Sequence, residues 1–142
     1  MRHLHSGRKF NMDGPQRKAM FRNMVTSLME HGRVQTTDEK AKELRGIAER
    51  IITLSRRVPN ASLAALSGDE LTKAQANRVH AIRLARRWIT NRDVLNKVFT
   101  EYSDRYTARP GGYTRIYKLG NRPGDQASVS LIELVTEPYP AE

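Results

Sequence analysis

The sequence contains no cysteine, and this absence removes several kinds of chemistry at once. The chain can form no disulfide, bind no metal through thiolates and use no cysteine nucleophile. Long apolar runs are absent too, since no stretch approaches the ~20 residues of a membrane helix. The opening MRHLHSGRKF is too polar for a secretory signal peptide. We therefore expect no membrane partner and a location in the reducing cytoplasm.

Acidic residues are scarce relative to basic ones. The chain has 25 Lys and Arg against 15 Asp and Glu, which gives a net charge of +10. Such an excess repels itself in the free protein, whereas beside a polyanion it releases condensed counterions and favours binding. A small soluble protein can simply be basic, but the size of the excess favours nucleic acid as the partner.

The residue patterns that carry enzymatic chemistry are also missing. No pair of acids lies in an apolar setting that would raise a pKa for acid–base work, and no nucleophile motif surrounds a serine. His3 and His5 could chelate a metal, but neither cysteine nor an acidic cluster accompanies them. We therefore predict no catalysis, no metal site, no cofactor and no small-molecule substrate.

Apolar residues at helical spacing predict four helices. The first should run from Pro15 to His31, with Gly32 ending it in a left-handed conformation. The others should span Asp38 to Arg56, about Ala74 to Ile89, and Asp93 to about Tyr102. One apolar stripe on the second helix comprises Ala41, Leu44, Ala48, Ile51 and Ser55.

The C-terminal third is typical of a β-hairpin. Strands are predicted at Tyr113–Leu119 and Ala127–Thr136, separated by a turn of Gly, Asn, Arg, Pro and Asp. A short extended segment near Val34 could add a third strand by pairing with this hairpin. Helices followed by strands indicate an α+β fold with a three-stranded sheet packed on about four helices.

The chain divides by composition into an arm, a domain and a tail. Residues 1–14 form a basic arm without clear periodicity, and residues 138–142 form a short tail. A single RNA-binding domain is predicted over residues 15–137. Residues 58–77 look like an insertion within it, because this stretch has Pro, Asn, Ser and Gly but few cations.

Two stretches combine several cations with no acid. Five cations and no acid occur from Arg105 to Arg122, around the motif Arg-Pro-Gly-Gly-Tyr-Thr-Arg at 109–115. Glycines permit close backbone approach, and arginines can bind a phosphate through two hydrogen bonds. The second stretch, from Arg78 to Arg92, could be the recognition helix of a DNA-binding protein. It lacks helix-turn-helix spacing and a dimer seam, and this weakens the DNA alternative.

Several motifs in order resemble the L-seventeen family of bacterial large-subunit (50S) ribosomal proteins. They are Arg2-His3, SGRK at 6–9, AMFRNM at 19–24, Thr36-Thr37, KAKELR at 40–45, IITL at 51–54, Arg109, GGYTRI at 111–116, Gly124-Asp125 and IEL at 132–134. The similarity extends over nearly the whole chain. Residues 11–15 lack the basic residues common there in the family, and residues 58–77 look longer than the usual connection.

The resemblance implies an α+β domain with a mixed sheet and a structural role in the large ribosomal subunit. The implied partners are 23S ribosomal RNA and neighbouring ribosomal proteins, and the implied activity is support of subunit assembly and translation. By matching position, the resemblance implies an RNA-binding arm of Arg2, His3, Ser6, Gly7, Arg8 and Lys9. It also implies a folded RNA surface of Arg22, Lys40, Lys42, Arg45, Arg109, Gly112, Thr114 and Arg115.

The residue chemistry adds further RNA-binding candidates. These are His5, Arg17, Lys18, Gly111, Tyr113, Lys118 and Arg122. An RNA-processing enzyme remains a second alternative beside the DNA-binding protein, although the sequence offers neither a metal nor an acid–base site for it. A nuclease assay on the purified protein would distinguish that alternative from a structural RNA-binding protein.

Overall fold

The helices begin and end close to the glycines, prolines and polar caps that bound the apolar repeats. A computed structural model describes residues 7–137. Its helical segments are α1 (Gly14–His31), α2 (Asp38–Arg56), α3 (Asn60–Leu63), α4 (Gly68–Ala85), α5 (Arg92–Lys97), a π-helical turn (Val98–Tyr102) and α6 (Ser103–Arg105). Its strands are β1 (Arg33–Thr37), β2 (Thr114–Asn121) and β3 (Ser128–Leu134). The predicted α+β fold class is confirmed.

The end of α1 is satisfied by groups from distant parts of the chain. Gly32 takes the predicted left-handed conformation (φ +78°), and its N–H donates to the Leu28 carbonyl at 2.8 Å. The next two carbonyls accept from side chains: Met29 O from the Tyr102 hydroxyl at 2.7 Å, and Glu30 O from Lys97 Nζ at 2.9 Å. Carbonyls at a helix C-terminus have no partner within the helix, so these bonds attach α1 to the α5–α6 segment.

Helix α2 lies at the centre of the fold. It contacts all three strands, α1, α4 and the segment from the π turn to α6. The whole predicted stripe of α2 is buried, from Ala41 through Ser55. The stripe repeats every three or four residues, so it forms one continuous face of the helix, and this face packs into the core.

The sheet is antiparallel throughout, so the expectation of a mixed sheet was wrong. The strand order is β1-β3-β2, and β3 pairs antiparallel with both neighbours. The hairpin fixes β3 opposite to β2, and β3 then lies between β2 and β1. The segment near Val34 does supply the third strand, with Val34 paired to Ile132.

The third predicted helix starts earlier than its sequence suggested. Helix α4 begins at Gly68, not near Ala74, and ends at Ala85, not Ile89. Asp69 and Glu70 lie in its first turn, where carboxylates interact favourably with the helix dipole. The low cation content and the glycine in this stretch had suggested a loop. Whether residues 58–77 are an insertion stays a prediction.

Three buried tyrosines join the helices to the hairpin. Tyr102, Tyr106 and Tyr113 follow one another in contact, with ring centroids 6.1 and 5.2 Å apart. Each hydroxyl donates to a main-chain carbonyl: Tyr102 to Met29, Tyr106 to Val135 at 2.7 Å, and Tyr113 to Arg109 at 3.3 Å. We name these residues the tyrosine ladder. A buried hydroxyl needs such a partner, so the ladder fixes the relative positions of these segments.

Removing one hydroxyl of the tyrosine ladder should destabilise the fold measurably. We expect Tyr102→Phe to lower the free energy of unfolding by about 1–2 kcal/mol, because it leaves the Met29 carbonyl without its hydroxyl donor. Urea unfolding followed by circular dichroism measures this. Tyr117→Phe is the matched control, because Tyr117 is 47% exposed on the sheet. An equal loss in both variants would contradict a structural role for the Tyr102 hydrogen bond.

Candidate nucleic-acid interface

A cleft of about 610 Å³ opens where the N-terminal segment crosses α1 and α2. We call it the basic cleft. Its lining residues are Gly7, Arg8, Gly14, Arg17, Lys18, Phe21, Glu43, Ile47, Arg50 and Trp88. Four of these side chains are cationic and one is acidic. Four predicted RNA-binding residues lie together here: Gly7, Arg8, Arg17 and Lys18.

Hydrogen bonds hold the N-terminal segment at the edge of this cleft. Arg8 Nη1 lies 3.3 Å from the Glu43 carboxylate on α2, and Arg17 Nη1 donates to the Arg8 carbonyl at 3.2 Å. Gly7 has φ +88°, a conformation that favours glycine. These contacts place residues 7 and 8 beside α1 and α2. Predicted contacts of Arg2, His3, His5 and Ser6 lie outside the described residues.

Two exposed cations of the cleft, Lys18 and Arg50, are unpaired within the described part of the chain. Neither Lys18 nor Arg50 makes an ion pair with a residue of the described range 7–137. The sequence analysis did not predict Arg50 as an RNA-binding residue, although its spacing along α2 could have indicated it. Residues 43, 47 and 50 recur at helical spacing, so they share a face of the helix.

Arg109 was predicted to line the RNA surface, but the structure buries it within the fold. Its side chain is buried, with 8% of the residue exposed, and its Nη2 donates to the Glu137 carbonyl at 3.1 Å. Its own carbonyl accepts from the Arg56 guanidinium and the Tyr113 hydroxyl. The Arg109 side chain therefore joins the loop to the segment that follows β3, and little of it reaches solvent.

Tyr113 and Thr114 are corrected for the same reason. Tyr113 is buried within the tyrosine ladder, and the Thr114 hydroxyl donates to Glu49 on α2 at 3.0 Å. The sequence placed these residues beside glycines and arginines, which suggested a surface loop. Both side chains are buried and bonded within the fold, where they support the loop, and their contact with RNA stays a prediction.

Other residues of this loop do reach the surface. Gly111, Gly112 and Arg115 are exposed, and Gly112 has φ +67°. Arg115 Nη1 donates to the Gly112 and Thr114 carbonyls, each at 3.3 Å, and this folds the guanidinium back over the loop. Both bonds use Nη1 alone, so the Nη2 and Nε donors of Arg115 stay available to a phosphate.

The predicted cations near the sheet differ in how strongly they are already paired. Lys42 Nζ lies 2.6 Å from the Asp38 carboxylate, and Arg122 forms an ion pair with Asp125 that lowers the pKa of that carboxyl to about 2. Lys40 and Arg122 also line a hollow of about 460 Å³ beside β1. Exposed Lys9, Arg45 and Lys118 have no ion pair within residues 7–137.

Arg22, another predicted contact, is half-buried on α1. Its Nε is buried without a hydrogen-bond partner among the described residues. Burial of this atom limits what the rest of the guanidinium can reach, so Arg22 is less accessible than Arg17 and Lys18 on the same helix.

A second group of cations lies near the junction of α4 and α5. Arg83, Arg86, Arg87 and Arg92 are exposed, and Arg86 and Arg92 line a hollow of about 470 Å³. The sequence weighed this stretch only as a DNA recognition helix and named none of these arginines as an RNA-binding residue. Arg78 of the same stretch differs, since it donates to the Phe99 carbonyl at 2.7 Å and lies over that ring.

Residues 7–137 contain no group of three or more His, Asp or Glu that could bind a metal, and none of their helices has the length and apolar character of a membrane span.

The chain is similar to a known protein family over most of its length. The family model described as Ribosomal protein L17 matches residues 20–135, which is most of the chain.

The chain belongs to the ribosomal protein L17 family.

Similar curated proteins agree with this assignment. The large ribosomal subunit protein bL17 of Myxococcus xanthus is 49% identical over 99% of this chain and 88% of its own length. The protein of the same name from Trichlorobacter lovleyi is 47% identical over 100% of this chain and 99% of its own length. That from Geobacter sulfurreducens is 48% identical over 98% of this chain and 69% of its own length.

Family membership confirms the main predictions from the sequence motifs. The resemblance was correct, and the family is one of structural ribosomal proteins and not of enzymes. The predicted location on the cytoplasmic ribosome of bacteria is confirmed in the same way. The individual RNA-binding residues stay predictions.

Asp38, which pairs with Lys42 and accepts from the Ser130 hydroxyl at 3.2 Å, should make stability depend on pH. The hydrogen bond from Lys42 lowers the Asp38 pKa below its usual 3.8 in the folded protein. This contribution to stability is therefore complete above the unfolded pKa and is lost as pH falls through the lower folded value. We expect the stability difference between wild type and Asp38→Asn to shrink below about pH 4.

Urea unfolding at several pH values measures that difference. Asp69→Asn, which removes an exposed carboxylate of α4, is the control and should show a smaller change. A difference between wild type and Asp38→Asn that stayed constant from neutral to acidic pH would argue against the Asp38–Lys42 pair.

Proposed function

We propose that this protein binds 23S ribosomal RNA as a constituent of the large ribosomal subunit. The observation that carries the proposal is the basic cleft, where Arg8, Arg17, Lys18 and Arg50 face a single acid, Glu43. The curated relatives are named as large-subunit proteins, which supports ribosomal RNA as the polyanion.

Binding by this surface is mainly electrostatic. Each phosphate that a lysine or arginine neutralises releases condensed counterions, and the affinity therefore falls steeply as salt increases. Fit to the shape of the RNA adds to this, because α1 and α2 are packed on a rigid core and hold their cations at fixed spacing. Reading of base sequence contributes less, since the grooves of A-form RNA expose few base edges to side chains.

The parts of the chain have different roles in this proposal. Residues 1–14 act as a basic arm that follows the phosphate backbone, and residues 15–137 act as the folded RNA-binding domain. Residues 58–77 are an insertion that carries few cations, and residues 138–142 are a tail. Binding by arm and domain together supports subunit assembly and translation, with neighbouring ribosomal proteins as further partners.

Sedimentation tests the proposed assembly. We expect the protein to migrate with large subunits in low and moderate salt and to be released in high salt, because its contacts are mostly ionic. Immunodetection across a sucrose gradient measures the distribution. Recovery only at the top of a low-salt gradient would refute the proposed function.

Charge removal in the cleft tests where RNA binds. We expect Lys18→Gln combined with Arg50→Gln to weaken binding to a 23S RNA fragment on the order of tenfold and to reduce the salt slope by about 1–2, as for the loss of two phosphate contacts. Fluorescence anisotropy of labelled RNA over a salt series measures both quantities.

The matched control for this pair is Arg57→Gln combined with Lys73→Gln. Both residues are exposed and lie outside the basic cleft, and both pairs lower the net charge equally. Equal weakening by the two pairs would mean that net charge, and not the cleft, governs binding. Duplex DNA measured at the same salt tests the DNA-binding alternative, which requires DNA to bind more tightly than the ribosomal RNA.

A further inference from the structure

The single tryptophan of the chain forms part of the wall of the basic cleft. The sequence favoured a core position for Trp88 over a base-stacking one, because Trp88 lies on the apolar stripe of the third predicted helix. The structure gives it both environments. Trp88 is half-buried and packs against the hydrophobic core, and it also lines the cleft.

The cleft joins an apolar wall to cationic side chains. Phe21, Ile47 and Trp88 supply the apolar part, while Arg17, Lys18 and Arg50 supply positive charge around it. Phosphate contacts alone need no apolar wall, because exposed cations on any surface can make them. Apolar walls with a few fixed polar groups are instead typical of sites that bind a small organic group.

The dimensions of the cleft suit one nucleotide. Its volume of about 610 Å³ falls within the range of about 300–1,000 Å³ that is usual for small-molecule sites. Glycines at 7 and 14 place no side chain in the opening, which leaves room for a sugar and its phosphates.

We propose that the basic cleft binds one unpaired nucleotide of RNA, with its base against the Trp88 indole and its phosphates on Arg17, Lys18 and Arg50. The proposal rests on the proposed function, since it assigns a particular RNA element to the same surface. Recognition of single-stranded RNA commonly combines stacking on aromatic side chains with such cations. A base within a duplex is stacked on its neighbours and cannot enter a recessed site.

The tryptophan fluorescence of the protein reports on Trp88 alone, because the chain has no other tryptophan. The full chain is titrated in low salt with a short oligoadenylate and, separately, with a fully paired RNA duplex of equal length. Anisotropy of the labelled RNA measures binding, while tryptophan emission measures contact between a base and the indole. We expect both RNAs to bind and only the oligoadenylate to quench the emission strongly.

Substitutions separate stacking from simple burial. Trp88→Leu keeps an apolar side chain but removes the flat ring, and we expect it to weaken oligoadenylate binding on the order of tenfold while leaving duplex binding unchanged. Trp88→Phe should restore part of that loss. Tyr117→Leu, which removes an exposed aromatic outside the cleft, should leave both affinities unchanged. Circular dichroism establishes whether each variant is folded. If Trp88→Leu does not fold, the quenching experiment on the wild-type protein still tests the proposal.

The outcomes distinguish this inference from the function on which it rests. Binding of both RNAs with unchanged tryptophan emission would overturn the nucleotide site and leave ribosomal RNA binding intact. Equal quenching by duplex and oligoadenylate would overturn the requirement for an unpaired base. Failure of both RNAs to bind in low salt would refute the proposed function itself.

Discussion

The arrangement of this molecule depends on three buried tyrosine hydroxyls that donate to main-chain carbonyls. Tyr102 and Tyr106 hold the end of α1 and the strand end at Val135, and Tyr113 closes the loop that begins at Arg109. Each of these carbonyls lies beyond the end of a regular hydrogen-bonding pattern or close to it. Because leaving a buried carbonyl without a donor is costly, the hydroxyls determine where helices and hairpin meet.

This internal framework explains why cations can be concentrated on the outside. Helix α2 packs its apolar stripe into the core and presents Glu43 and Arg50 to the cleft. The mutual repulsion of clustered cations is tolerated in the free protein because the core, and not the surface, supplies stability. Beside a polyanion that repulsion is offset, and this favours the bound protein over the free one.

Arginine serves two purposes that composition cannot separate. Arg56, Arg78 and Arg109 donate to main-chain carbonyls within the fold, whereas Arg50 lines the basic cleft. The guanidinium group suits both uses, since it has several donors and stays charged when partly buried. A count of cations in an acid-free stretch therefore overestimates the number available to RNA.

The sequence by itself determined the helices α1 and α2, the hairpin, the α+β class and the family, because these follow from local periodicity, turn residues and ordered motifs. Its net charge of +10 also indicated a polyanion as the partner. Only the tertiary structure decided that the sheet is antiparallel, that Arg109, Tyr113 and Thr114 are buried, and that Trp88 and Arg50 share a cleft with the N-terminal segment. Those outcomes depend on which distant segments pack together. The local sequence around a residue does not specify which distant residues will bury it.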